Sequence, residues 1–494
     1  MTKRQLTINH MKSKQILYIL VSFISTSFFA QSTAPQLNKI QQKDLKNQLY
    51  ELAGDAFRGR RGGELGEMRA SVWVAQKAME AGLQPAGEDG TYFQFFNLKR
   101  SRIAHKSTIH LNNKAMDLWK DVWPTNLIDI KLEGQVVWLD SIPDSSVDLT
   151  GKIVAMNMIP PTPITPSWVS LWQYRYNYSA ILQQGNALRK LGVAAIIFVA
   201  DQTAESLMSF IGFNYKEGKY GIEGRESSNT DTVPVILASN RLENIFSKGG
   251  AYFKSDLSVE YFDYPSVNVI AKAEGTDPKL KDEYVLFSGH QDHDGVGPAV
   301  NGDPIWNGAD DNATVTVAML AIGRAWSSQP AKRSALFVWH GAEERGLLGS
   351  RYFVSHPTIE LSSIAAVLNG DMIGRNAPDS AALLGVTEPH LNSSELVEIT
   401  LAANKSIANF KLDFSWDAAD HPENWYFRSD HLPYAQANVP AIFFTTLLHP
   451  DYHTPFDSPD KINYEKLTKM TKWMYETGWR VAEGFKRPAL TIEK

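Results

Sequence analysis

Five short apolar runs in the second half of the chain constrain the sheet it can build: VNVIAKAEG from Val267, YVLFSG from Tyr284, ALFVWHG from Ala335, IAAVLNG from Ile364 and PAIFFTT from Pro440. Their continuous apolar character predicts strands covered on both faces, as in a central sheet. Helical patterns lie between them, including ATVTVAMLAIGRAW over Ala313–Trp326. The expected fold class is therefore α/β: a central mixed, mostly parallel sheet flanked by helices.

A second unit is written into the middle of the chain. KIVAMNMI from Lys152 and VAAIIFVA from Val193 read as strands separated by the helical ALRKLG, and VPVILAS from Val233 reads as a third strand. This is the grammar of a small α/β insertion, placed at 118–262, with 32–117 and 263–494 forming the larger domain around it. At 494 residues the chain exceeds what one core usually organises, which agrees with two domains. The aromatic tract PSWVSLWQYRYNYS is read first as a packed loop or interdomain contact and second as a binding surface. Before the insertion, Val72, Ala75, Met79 and Leu83 are spaced for a helix that Gly82 and Pro85 end.

Residues 1–31 read differently. Lys3, Arg4, Lys12 and Lys14 precede the apolar stretch Gln15–Ala30, which is too short and too serine-rich for a membrane span. It is expected to be a cleaved export signal, which would leave no stable membrane anchor and put the mature chain in the periplasm or outside the cell. The chain has no cysteine, so disulfides, thiolate ligands and thiolate nucleophiles are excluded. A net charge of -5 without blocks of one sign gives no reason to expect nucleic acid as a partner.

The apolar runs share a second property. YVLFSG leads into His290 and Asp292, ALFVWHG into Glu343 and Glu344, IAAVLNG into Asp371, and PAIFFTT toward His453. Ligands of open α/β sheets bind outside the carboxyl ends of the strands, so these exits are expected to converge. With Asp311 of NGADDNATV they supply two imidazoles and three carboxylates, which suit Zn²⁺, with Mn²⁺ or Co²⁺ as substitutes. Five donors exceed one tetrahedral ion and fit two that share a carboxylate. Singly, each element has a plainer reading: a satisfied polar histidine, a solvated helix start for Glu343–Glu344, a helix cap for Asp311–Asn312. Neither an HExxH segment nor a GxSxG elbow is present.

SGHQDHDG, NGADDNA, GAEERGLLGS, NGDMIGR and DYHTPFDSPDKI stand in an order that resembles the M28 metallopeptidases, the bacterial zinc aminopeptidase group, carrying an inserted protease-associated (PA) domain. The resemblance also extends to GDAFRGRRGGELGE in the lead-in and to DLTGKIVAM and VPVILAS in the insertion. It implies that His290 and Asp371 hold one zinc, that Glu344 and His453 hold the other, and that Asp311 bridges them. It makes Glu343 the general base that takes a proton from the attacking water, Asp292 an outer partner orienting His290, and Tyr452 a donor to the oxyanion. It also implies a cis peptide between Asp310 and Asp311. Two positions depart from the family: Gly370 where Leu is usual, and Val315 where Gly is usual.

The activity so implied is hydrolysis of peptide substrates, most directly by an aminopeptidase. A carboxypeptidase, a single-zinc glutaminyl cyclase and a catalytically silent binding module share the scaffold. Asp417, Asp420 and Glu423 are candidates for recognising a substrate amine, and Arg375 or Arg428 for recognising a carboxylate. Ser429, Asp430 and His431 could line the pocket or form a buried hydrogen-bonded loop.

Overall fold

The computed structural model describes residues 33–160, 172–224 and 232–491. The leader expected over 1–31 and the opening of the aromatic tract lie outside the described residues. Among these residues no helix is long and apolar enough to cross a membrane.

The larger sheet is ordered Lys411–Asp413, Ser380–Leu384, Ala441–Thr445, Ile364–Gly370, Tyr284–His290, Ser334–His340, Val259–Ala273, Phe93–Ile103, Lys219–Ile222. Its four central strands, from Ala441–Thr445 to Ser334–His340, are mutually parallel. Outside them the pairing reverses. With the short Gln84–Pro85 strand, which pairs antiparallel to Val259–Ala273, five of the nine pairings among the described residues are antiparallel, so the expectation of a mostly parallel sheet holds only at its centre. The reason is connectivity. Val259–Ala273 and Phe93–Ile103 form an eleven-pair antiparallel ribbon leading to and from the inserted stretch, and such a ribbon needs no helical crossover.

The unbroken apolar runs are buried on both faces as the pattern requires. Val285, Phe287, Phe337 and Leu368 face one core with Trp326, Met470 and Trp473 of the helices Thr314–Ser328 and Tyr464–Glu483. Leu286, Leu336, Val338 and Val367 face the other, with Phe353 and Tyr434 of the helices Leu348–Ser355 and His431–Gln436. Alternate residues of one strand thus serve two cores, and the buried polar Ser288 and Asn369 near the strand ends satisfy each other at 2.8 Å.

A second, eight-stranded sheet runs Lys114–Ala115, Thr108–Leu111, Tyr252–Leu257, Ile130–Trp138, Ile153–Asn157, Ala195–Val199, Val235–Ala238, Val122–Pro124. The helices Trp172–Arg189 and Gln202–Glu217 supply Ala180, Leu188, Ala204 and Met208 to the core on one of its faces. This sheet begins at Thr108, ahead of Leu118. Lys219–Ile222, from within the same stretch, leaves it to pair with Leu98–Ser101 of the larger sheet. Glu217, at the end of its helix, accepts from both Arg61 and Arg100 at 2.8 Å, tying the two parts of the molecule together beside the site described next.

Candidate metal centre

All four parallel strands end at one edge, and their exits meet there. His290 is the last residue of its strand, and Asp371 directly follows Gly370. The chain leaving His340 turns through Ala342 in a left-handed conformation (φ 50°) to present Glu343 and Glu344. His453, also left-handed (φ 48°), comes from the loop beyond Thr445. Asp311 comes from a wide turn, Ala309–Ala313, that opens the Thr314–Ser328 helix. Gly308 makes that turn possible: at φ 56°, a Cβ there would lie 2.2 Å from the Asp311 carbonyl and 2.3 Å from the His293 ring.

Asp311 sits between two sets of donors. Its Oδ1 lies 3.2 Å from His290 Nε2, which is 3.5 Å from Asp371 Oδ2 and 3.7 Å from Glu343 Oε2. Its Oδ2 lies 3.2 Å from His453 Nε2, itself 3.2 Å from Glu344 Oε2. Donors about 2.0–2.2 Å from one tetrahedral ion are about 3.3–3.6 Å apart, so this spacing suits a cation in each set. His290 Nε2, His453 Nε2 and Asp311 Oδ1 are buried without a hydrogen-bond partner, as atoms reserved for a metal would be. Imidazoles and carboxylates without sulfur are the chemistry zinc accepts.

The neighbouring acids diverge. Burial pushes the Glu343 carboxyl well above its ordinary value, helped by repulsion from Glu344 and opposed by His290. Burial acts the same way on Glu344, but His453 and His293 outweigh it and hold that carboxyl well below its ordinary value. One acid is thereby suited to exchange a proton and the other to remain an anion.

The surrounding shell contains residues that the sequence did not single out. Asp294 Oδ2 is 3.0 Å from His453 Nδ1 and fixes that ring, while its Oδ1 accepts from Arg345 at 2.6 Å. His293 Nδ1 is 2.8 Å from Glu344 Oε1, adding a third imidazole to the cluster. Both lie inside HQDHDG, so the motif itself was the available signal. Asp457 accepts the Asp310 and Asp311 amides, each at 3.0 Å. Arg60, fully buried, donates to the carbonyls of Leu52, Gln291, Asn307 and Gly308, and nothing local in the sequence marks that role.

Two expectations are refined here. His290 Nδ1 lies 3.2 Å from the Asp292 carbonyl oxygen and 3.7 Å from its carboxylate, which instead accepts the Glu343 amide at 2.9 Å. Asp292 therefore sets both the histidine and the Glu343 turn. The cis peptide falls one bond later than the resemblance implied, between Asp311 and Asn312. The amides of Asp310 and Asp311 are both tied to Asp457. Asp310 turns its Oδ1 away from the metal donors to accept the Gly374 amide at 2.7 Å.

The two departures from the family meet in space. A Cβ on Gly370 would lie 3.0 and 3.1 Å from the two Val315 methyls, so the valine fills the room that the glycine leaves. The strand and the helix are thereby in contact beside Asp371.

Two cavities adjoin the cluster. One of about 240 Å³ is lined by Glu343, Asp371, Met372, Trp425, Phe427, Arg428 and Tyr452. The other, about 680 Å³, lies between the metal-side residues Asp294, Glu344, Arg345 and His453 and the inserted-stretch residues Asn126, Tyr178, Phe213 and Tyr215. Of the recognition candidates, Asp417 is buried and occupied by the Gly385, Val386 and Thr387 amides and by His390. Arg375 pairs with Asp451 at 2.6 Å, away from the smaller cavity's lining. Glu423 is buried and pairs with Arg175 and Arg428, whereas Asp420 is exposed. Ser429, Asp430 and His431 are all fully buried, and Ser429 donates to Asp371 at 2.8 Å.

Residues 268–477 match the family described as Peptidase family M28. Aminopeptidase YwaD of Bacillus subtilis (strain 168) is 30% identical over 198 residues, 39% of this chain and 41% of that protein. The chain thus spans about two fifths of that relative's length. Leucine aminopeptidase 2 of Arthroderma otae is 23% identical over 388 residues, 74% of this chain and 72% of its own. Among solved structures, an aminopeptidase from Aneurinibacillus sp. strain AM-1 superposes with a TM-score of 0.57 at 18% identity, over 93% of this chain and 97% of the other. A zinc aminopeptidase from Bacillus subtilis gives 0.55 at 19%, over 89% and 94%. At these identities the superpositions speak for the fold.

Proposed function

From the premise that the chain belongs to peptidase family M28 through residues 268–477, we propose that it is an exported dizinc aminopeptidase that releases N-terminal residues from peptides. The observation carrying this reading is the Asp311 carboxylate, 3.2 Å from a histidine on either side. His290 and Asp371 would hold one zinc, Glu344 and His453 the other, and Asp311 both. Two such ions, when bound, supply a field that acidifies water and polarises a carbonyl.

The chain's own groups do the rest. Glu343, its proton affinity raised by burial, takes a proton from the attacking water and passes it to the leaving amine. Burial raises the Tyr452 phenol above its ordinary value, so it stays protonated and donates to the oxygen on which charge develops. The 240 Å³ pocket, with Met372, Trp425 and Phe427, suits an apolar N-terminal side chain. The 680 Å³ cavity on the far side of Glu344 and His453 leaves room for the remaining peptide. The stretch 118–262 would act as a PA-type insertion roofing that cavity.

A panel of aminoacyl chromogenic amides tests the reading, with N-blocked and C-blocked peptides as controls. Glu343→Gln is expected to keep fold and metal content while kcat falls about 10²-fold or more. Full activity in that variant, or turnover only of N-blocked substrates, would refute the proposal.

A further inference from the structure

Arg428 enters the 240 Å³ pocket beside Tyr452, and its guanidinium is fixed from three sides. Nη1 donates to Glu423 Oε2 at 2.8 Å, Nη2 donates to Tyr452 Oη at 2.9 Å, and Cζ lies over the Trp425 ring, 4.5 Å from its centroid. Glu423 is itself buried, and the same oxygen accepts from Arg175 of the Trp172–Arg189 helix at 3.0 Å. Arg175 also donates to the Pro422 carbonyl at 3.2 Å. The network runs from the inserted stretch to the Tyr452 hydroxyl through two arginines and one glutamate.

The consequence is directional. A phenol oxygen has one hydrogen, held near the ring plane, and it accepts in the same plane. With the acceptor side taken by Arg428, which has only donors, the Tyr452 hydrogen must point elsewhere, and the open side is the pocket shared with Glu343 and Asp371. Without Arg428 the hydrogen could take either of its two in-plane positions, and the aligned orientation would be one of the two. A preorganised donor is worth more than a mobile one, because nothing has to reorganise as charge develops.

We propose that Arg428, anchored by Glu423, is a positioning residue that turns the Tyr452 hydroxyl hydrogen into the substrate pocket. This rests on the hydrolytic role proposed for Tyr452. A residue acting this way changes kcat through Tyr452 and has no effect once that hydroxyl is gone.

The test is a double-mutant cycle on an aminoacyl p-nitroanilide with Arg428→Met, Tyr452→Phe and the pair. Tyr452→Phe is expected to lower kcat about 10²-fold, the scale of one oxyanion donor, and Arg428→Met about tenfold, each with KM nearly unchanged. The double variant should be no slower than Tyr452→Phe alone. Arg428→Lys, which keeps the charge and a donor, should recover part of the loss and covers the case in which Arg428→Met does not fold. An equal Arg428 effect in the Tyr452→Phe background, or one confined to KM for substrates bearing a free carboxylate, overturns the proposal and makes Arg428 a binding residue. If the wild-type protein turns over no aminoacyl amide, the aminopeptidase reading fails separately. A neutron structure of the wild type then decides the positioning: a Tyr452 hydroxyl deuterium directed into the pocket and away from Arg428 supports it, and one directed elsewhere refutes it.

Discussion

Arg60→Met should loosen the metal centre from beneath without touching a ligand. The guanidinium is fully buried and holds four carbonyls: Asn307 at 2.6 Å, Gln291 at 2.8 Å, Gly308 at 2.9 Å and Leu52 at 3.2 Å. Three of these belong to the loops that carry His290–Asp294 and Asn307–Asp311. At ~1.5 kcal/mol for each hydrogen bond from a charged donor, the substitution removes ~6 kcal/mol. Part of that returns. Burial pulls the Arg60 pKa down to about 10 despite attraction from Asp292, Asp311, Asp457 and Glu344, and relieving this penalty returns ~3.5 kcal/mol. The net loss is ~2–3 kcal/mol, of the order expected when one member of a buried polar set is removed. Hydrogen exchange reads it locally, since the Gln291, His293, Ala309, Asp310 and Asp311 amides are all bonded within this framework. In metal-free protein their protection should fall by roughly 30- to 150-fold, while the Ala195–Val199 strand is unaffected. Arg60→Lys should fall between the two, because an ammonium cannot span four acceptors in that fork. Protection within about threefold of wild type at those amides would refute the reasoning.

Three further outcomes are expected. Asp311→Ala should lose both ions, read as metal content after gel filtration, and retention of one tightly bound zinc would show that the carboxylate does not bridge. Asp294→Asn removes the carboxylate 3.0 Å from His453 Nδ1 and should weaken metal affinity about 10–100-fold in a chelator competition, with fold unchanged. His431 is buried between Tyr426 and Phe443, and burial, with repulsion from His390, pushes its pKa down to about 3. Its folded pKa lies below the unfolded value, so the unfolded state binds the extra proton and stability is lost as pH falls from about 6.5 toward 3. The loss between pH 7 and pH 5 is ~2 kcal/mol, and His431→Phe should flatten the acid side of the melting-temperature profile. An unchanged slope in that variant would show that His431 is not the group responsible.

The sequence by itself determined the parallel centre of the sheet. Runs such as ALFVWHG and IAAVLNG have no polar face to give to water, so only a strand covered by helices on both sides satisfies them. Their exits bring the candidate donors to one edge because the direction of a parallel strand fixes which end its last residue occupies. His290, Glu343, Glu344, Asp371, His453 and Asp311 do meet at one edge.

Tertiary structure alone decided the rest, because it depends on which distant residues come within hydrogen-bond reach. Local pattern could not show that Arg60 lies under two loops more than two hundred residues away, or that the Glu423 carboxylate is shared by Arg175 and Arg428. It could not reveal the antiparallel ribbon that makes the sheet mixed, since pairing partners are set by the path of the chain through the inserted stretch. Gly370 and Val315 read along the sequence as two separate departures. In the folded chain they are neighbours, the Val315 methyls lying 3.0 and 3.1 Å from where a Gly370 Cβ would stand.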